Sequence, residues 1–263
     1  MDFKRATSLF IFVFIIINIA LGIIYYQKVQ QSNIKEVKSE RVNFEREGIK
    51  IPKMASVLNI KMNIVSGRSA GFSQTEDDFN KDGDNLKTSV TVNVSKKIKL
   101  KTIEPNEINN KLKSLLGTDV DKGKEYVLSG IDRKNRKLYF DQFYNEFPIL
   151  NNDKAQIVFS YNKDNEITKY KQSYLKDLKE GLGKNNEKKK VIPAREALEV
   201  LYYQAEIERG DEVRAVRLGY YSIVREVRGQ VLKPTYQVEV LKKNGDSEMY
   251  YVDALNPEQR ILK

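Results

Sequence analysis

The sequence predicts an α+β protein: an N-terminal transmembrane helix followed by an ectodomain of two small subdomains, with antiparallel sheets packed by helices. Three observations predict it. Residues 9–26 (LFIFVFIIINIALGIIYY) carry no charge, and Asn18 is their one strongly polar residue. Much of the later chain alternates apolar and polar residues in short runs bounded by turn residues, the pattern of half-buried strands. Two later segments have helical spacing, each opened by proline and closed by glycine.

The elements follow in order. A short tail (1–8) leads into the apolar run (9–26), which reaches roughly 27 Å at ~1.5 Å per residue and so approaches the ~30 Å hydrocarbon core. Lys4, Arg5 and the small residues of Ala20-Leu21-Gly22 also fit a cleaved secretion signal. The run continues through Ile23-Ile24-Tyr25-Tyr26, however, and paired tyrosines suit a headgroup belt, which favours an uncleaved anchor. Charge counting leaves its orientation open, because Lys4 and Arg5 precede it while Lys28, Lys35, Lys38 and Arg41 follow. Asn18 and Gly22 are four residues apart and share a helix face. A polar amide in hydrocarbon seeks a hydrogen-bond partner, and a small residue admits a second backbone. This face is therefore the candidate partner-binding surface within the membrane. A bond from Asn18 to its own helix is the alternative.

A polar stalk (27–56) continues the helix through Val29, Ile34 and Val37. The first α+β subdomain (57–175) opens with an alternating strand at 57–65 and a long loop at 66–87. A strand at 88–101 follows, then a helix at 107–116 set up by Pro105 and closed by Gly117. Four strands come next, at 125–131, 137–144, 155–161 and 166–174. Residues 162–165 (NKDN) form the turn between the last two. Residues 176–190 (KDLKEGLGKNNEKKK) read as a basic linker. The second subdomain (191–263) begins with a helix between Pro193 and Gly210, whose apolar face is Ala194, Ala197, Leu198, Leu201 and Ala205. Strands at 213–224, 236–242 and 248–254 complete it, with Asn244-Gly245 as a hairpin turn.

Composition narrows the chemistry. Lys and Arg number 46 against 36 Asp and Glu, a net charge of +10. Lys4, Arg5 and Asp2 are the charges before residue 27, so the remainder carries +9. Such a field favours anionic partners such as a lipid surface or wall polymers, or serves only solubility. There is no cysteine, so disulfides and thiolate chemistry are excluded. There is no histidine either, which removes the usual general base and the commonest nitrogen ligand. No pair of carboxylates stands out for acid–base work, and no catalytic residue, cofactor or metal is expected. Asp78, Asn80, Asp82 and Gly83 imitate the first half of a calcium loop. The twelfth position, however, is Ser89, where a bidentate glutamate is required.

Tyrosines gather late in the chain. Adjacent pairs on a strand send one ring in and one out. Tyr220, Tyr221, Tyr236, Tyr250 and Tyr251 are therefore candidates for an interaction patch on the ectodomain, with core packing as the ordinary alternative. Without a phosphate loop or a nucleic-acid motif, no nucleic-acid partner is expected.

Met1-Asp2-Phe3-Lys4-Arg5 followed by residues 14–21 (FIIINIAL) resembles the start of YycI (WalI) proteins. Glu196-Ala197-Leu198, Leu218-Gly219-Tyr220-Tyr221, Pro234-Thr235-Tyr236 and Tyr250-Tyr251-Val252-Asp253-Ala254 strengthen the resemblance. Tyr236 stands where family members often have Trp, and Asp253 where they often have Asn. Residues 88–186 match only in length and texture. The resemblance implies a regulatory protein, not an enzyme, accessory to the WalK/WalR (YycG/YycF) two-component system that controls cell-wall metabolism. It implies a WalK-like sensor histidine kinase and a YycH-like membrane protein as partners. It also implies a single-pass protein of the cell membrane, with its N-terminus cytoplasmic and its C-terminal domain extracellular. A membrane-anchored binder of anionic cell-wall polymers is the alternative.

Overall fold

Strand alternation and turn chemistry build two antiparallel sheets. They are seen in a computed structural model that describes residues 13–14, 16–22, 41–53, 59–72, 88–181, 187–222, 224 and 229–256. The chain forms two compact units, Met1–Glu47 and Gly48–Lys263.

In the first unit, residues 13–14 and 16–22 are helical. Their large apolar side chains are exposed on every side of the helix, Phe14 and Leu21 among them. Among the described residues no helix is long and apolar enough to cross a membrane. The rest of the 9–26 run, and the stalk up to residue 40, lie outside them. Residues 41–47 are irregular and then turn, where the Asn43 Oδ1 accepts the Arg46 N–H at 3.2 Å.

The second unit is α+β. Its first sheet has the order β3-β8-β7-β5-β4. These strands are β3 (Val90–Lys99), β8 (Glu166–Gln172), β7 (Gln156–Tyr161), β5 (Lys137–Tyr144) and β4 (Tyr126–Asp132), and the short β6 (Phe147–Pro148) pairs with β5. Helix α1 (Pro105–Thr118) buries Ile108, Leu112, Leu115 and Leu116 against the inward residues Leu138, Phe140, Ile157, Phe159 and Tyr170. The spacing of those four residues makes one face, and Pro105 starts the helix where no N–H is needed. Gly117, the expected stop, lies inside the helix. The end comes at Asp119, whose N–H bonds the Leu115 carbonyl at 2.9 Å. The 162–165 turn is as expected: Asn165 takes φ +61°, and the Asn162 N–H meets the Glu166 carbonyl at 2.9 Å.

The second sheet corrects the proposed division of the chain. Its order is β11-β12-β2-β9, with β13 also on β12. The strands are β11 (Glu212–Tyr221), β12 (Gln230–Leu241), β2 (Val65–Ser69), β9 (Leu175–Glu180) and β13 (Ser247–Asp253). The first four residues of the 66–87 loop therefore belong to a strand, and the start of the 176–190 linker is another. Residues Lys189–Lys190 (β10) at its far end pair with Lys61–Met62 (β1). Val65, Leu175 and Leu232 are fully buried, which explains the assembly: short segments distant in sequence each bring one apolar side chain to a shared core. The calcium-like loop at 78–83 lies outside the described residues.

Helix α2 (Ala194–Tyr203) covers the second sheet with Ala197, Leu198 and Leu201. It is shorter than expected because Ala205 turns left-handed, at φ +57°, and the Glu206 N–H folds back to the Leu201 carbonyl. Buried amides tie the two sheets together. The Gln142 Nε2 donates to the Leu175 carbonyl at 2.9 Å, and the Leu175 N–H returns to its Oε1 at 2.8 Å. The Asn152 Nδ2 donates to the Gln230 Oε1 at 2.7 Å.

Candidate interaction site

The helix face expected to meet a partner is locally satisfied. The Asn18 Nδ2 donates to the Phe14 carbonyl one turn back, at 2.7 Å. That is the alternative raised for a polar residue in an apolar helix, and it uses one of the amide's two N–H groups. A Cβ built on Gly22 would meet nothing within 4 Å, so the position is open to a second backbone.

The five tyrosines do not form an outward patch. Tyr220, Tyr236, Tyr250 and Tyr251 are buried at 2%, 3%, 0% and 4% exposure, and Tyr221 is half-buried. Alternation does place them on opposite faces of the second sheet, but both faces are covered. On one face Val216, Val238 and Tyr250 align across three strands, as do Leu218, Tyr236 and Val252. The Tyr236 hydroxyl donates to the Ile192 carbonyl at 2.8 Å, and that of Tyr250 donates to the Glu248 carboxylate. The Tyr220 ring meets Tyr144 and Phe147 edge-on, at 6.0 and 6.4 Å. Burial pushes the Tyr220 and Tyr236 phenols up to about 12, helped by Glu180 and Glu196 respectively.

The other face is polar. Arg217, Gln237 and Tyr251 are neighbours across β11, β12 and β13. The Arg217 Nε donates to the Gln237 Oε1 at 3.0 Å, and the Gln237 Nε2 donates to the Tyr251 hydroxyl at 3.0 Å. The Tyr221 ring stacks on Tyr251, with centroids 4.2 Å apart and planes inclined by 19°. A second guanidinium nitrogen reaches the Ser129 carbonyl of the first sheet at 3.2 Å. Near it lies Asp141, 3% exposed, which accepts the Gln156 Nε2 at 2.9 Å. Burial holds the Asp141 carboxyl above the ordinary carboxylate range, although Gln156, Ser129 and Arg217 favour its charge. This seam of fixed donors and acceptors sets the register between the sheets. Its signal in the sequence was a polar pair inside an otherwise apolar strand, Asp141 and Gln142 within KLYFDQFY, one on each face.

The seam also explains a motif. A Cβ on Gly219 would come within 2.4 Å of the Pro148 carbonyl oxygen and 2.8 Å of the Leu150 Cγ. Only glycine lets β11 approach the first sheet so closely. Asp253 accepts the Leu255 and Asn256 N–H groups at 2.8 and 3.0 Å, a local role that an asparagine oxygen could equally fill.

A family model described as YycI protein matches residues 24–255. The chain belongs to the YycI family. The match runs through both sheets of this YycI chain, including the 88–186 region whose sequence resembled the family least. Among solved structures, the chain is similar to an uncharacterized protein from Eubacterium rectale. That match has 11% identity and a TM-score of 0.47, and it covers 82% of this chain and 91% of the other. No curated protein matches. Membership of the YycI family carries a regulatory role in the WalK/WalR two-component system rather than a known enzymatic one. Among the described residues no three acidic side chains gather as metal ligands.

Proposed function

We propose that this YycI-family chain is a membrane-anchored, non-catalytic regulator of a WalK-like sensor histidine kinase, acting together with a YycH-like membrane protein. The observation that carries the reading is the family match over residues 24–255, which begins within the last three residues of the uncharged 9–26 run. The described part of that run is a helix with apolar side chains exposed all round, which suits a lipid environment. On this reading the N-terminus is cytoplasmic and the later unit extracellular. The Asn18/Gly22 face packs among partner helices, and the extracellular unit docks a partner. The regulator then biases the kinase between two states, by no more than the difference in its binding energy to them.

Co-purification tests it. The full-length protein with a C-terminal tag is solubilised gently and its companions are identified by mass spectrometry. A sensor kinase and a YycH-like protein should co-purify, and both should be lost when residues 1–26 are replaced by an unrelated anchor. Recovery of neither, from protein still anchored with its tag outside, refutes the reading.

A further inference from the structure

The first sheet ends in an edge strand with an unusual irregularity. On β3, Asn93 faces Lys169 of β8, and the next aligned pair is Ile98 with Ile167. Four residues of β3 thus stand opposite one of β8. Regular alternation would send Lys96 and Lys97 to opposite faces of the sheet. The bulge breaks that alternation and re-aims side chains, so both line the same cleft. Lys99 joins them from the same strand and Lys111 from α1.

The cleft between β3 and α1 has a volume of ≈ 200 Å³. Its apolar lining comes from Ile98 and Leu115, both buried, and Ser114 adds a hydroxyl. Four cations face one acid, Asp119, whose Oδ1 accepts the Thr118 hydroxyl at 3.0 Å. Lys97 lies 3.2 Å from Glu166 of β8. Lys99 stands opposite the same Glu166 across the ladder and favours its charge, whereas Lys96 and Lys111 make no ion pair among the described residues.

We propose that this cleft binds a linear phosphodiester polymer. Two uncompensated ammonium groups, Lys96 and Lys111, stand one on each wall, and Lys99 shares Glu166 with Lys97; together they match successive phosphates, and each phosphate contact releases counterions from the polymer. The apolar lining suits the hydrocarbon links between phosphates. No aromatic ring lines the cleft, so the stacking platform that single-stranded nucleic acids use is missing. A lipid surface offers the same phosphate chemistry, but it is broad and meets rims rather than clefts. Lysines and bulges also protect edge strands from pairing with other chains. That protective role requires neither the concavity nor Lys111 from the helix. The site is separate from the kinase reading: loss of binding here should leave helix-mediated co-purification intact, so each can fail alone.

The test uses the full-length protein in nanodiscs of neutral lipid, with poly(glycerol phosphate) as the probe. The triple variant Lys96→Gln, Lys99→Gln, Lys111→Gln is compared with Lys53→Gln, Lys61→Gln, Lys134→Gln, which removes the same charge from exposed positions elsewhere. The cleft variant should bind at least about tenfold more weakly and show a shallower dependence on salt, while the control changes by less than about threefold. Circular dichroism checks that both variants fold. Equal losses in the two variants would assign binding to the general +9 field and overturn the proposal. So would binding by neither variant nor wild type. Retention on phosphatidylglycerol vesicles without binding of the free polymer would make the cleft a membrane contact, and would overturn it too.

Discussion

Asp211 is the carboxylate whose removal should be felt most. It is 1% exposed and sits where the turn after α2 meets the β12–β13 turn. Its Oδ2 accepts the Lys242 ammonium at 2.6 Å and the Glu208 N–H at 2.9 Å, and its Oδ1 accepts the Lys243 N–H at 3.0 Å. Burial alone would raise its pKa, but the Lys242 ammonium and the two backbone donors outweigh it and leave the carboxyl below its ordinary value. Asp211→Ala strands Lys242, itself 19% exposed at the side chain, and orphans two backbone N–H groups. Breaking a buried pair costs ~3–5 kcal/mol, and ~4 kcal/mol is expected here because Lys242 keeps its bond to the Glu206 carbonyl. At ~2–4 °C per kcal/mol for a unit of this size, the melting temperature should fall by roughly 8–16 °C. The sign with pH follows from the lowered pKa. The stabilisation is present above the unfolded carboxylate value of about 3.9 and is lost as pH falls through the folded value. The gap between wild type and Asp211→Ala should therefore narrow in acid. Thermal and denaturant melts of the full-length protein in detergent, at neutral and acid pH, measure it. The double variant with Lys242→Met should cost less than the single changes added together. A loss below about 1 kcal/mol at neutral pH, or one independent of pH, would refute the reasoning.

Three further outcomes are expected. Gly219→Ala should destabilise by ~1–3 kcal/mol, since the new Cβ meets a backbone carbonyl that cannot give way; denaturant midpoints would show it. Gln142→Leu should cost about 3 kcal/mol, because both polar groups of the buried Leu175 peptide lose their partner, and protection of the Leu175 amide from hydrogen exchange should drop. In a spectrophotometric titration, the Tyr220 and Tyr236 phenols should ionise near 12 rather than 10, and the stability they lend should decline as pH rises across that interval. Tyr236→Phe should remove one late-titrating phenol and cost about 1 kcal/mol through the lost bond to Ile192.

Local signals carried much of the fold. The β5 strand, the 162–165 and Asn244-Gly245 turns and the Pro105 start of α1 were all legible, because each depends on neighbouring residues alone. Pairing was not. Nothing near Val65 says that it will lie beside Leu232, and nothing in KDLKE says that Leu175–Glu180 is an edge strand rather than a linker. Both facts are decided by apolar side chains far apart in sequence. The tyrosines failed for a related reason. Alternation gave the correct two-faced arrangement, but whether the second face meets solvent or another layer depends on Ser129 and Pro148 of the first sheet and on Leu150 in the turn that follows.

That failure moves the search for a binding surface. Four of the five tyrosines are committed to packing, so large changes there would first unfold the protein and would say little about partners. A surface that binds must keep unsatisfied capacity while the scaffold stays rigid. The buried amides of the seam have spent theirs on each other. Lys96 and Lys111 of the β3–α1 cleft have not, and they stand on a strand and a helix fixed by the core of Leu112, Leu138 and Phe159. Substitution there can change affinity without changing the fold. For a regulator whose influence is limited by its differential binding, that makes the cleft the place where a ligand could be read without cost to stability.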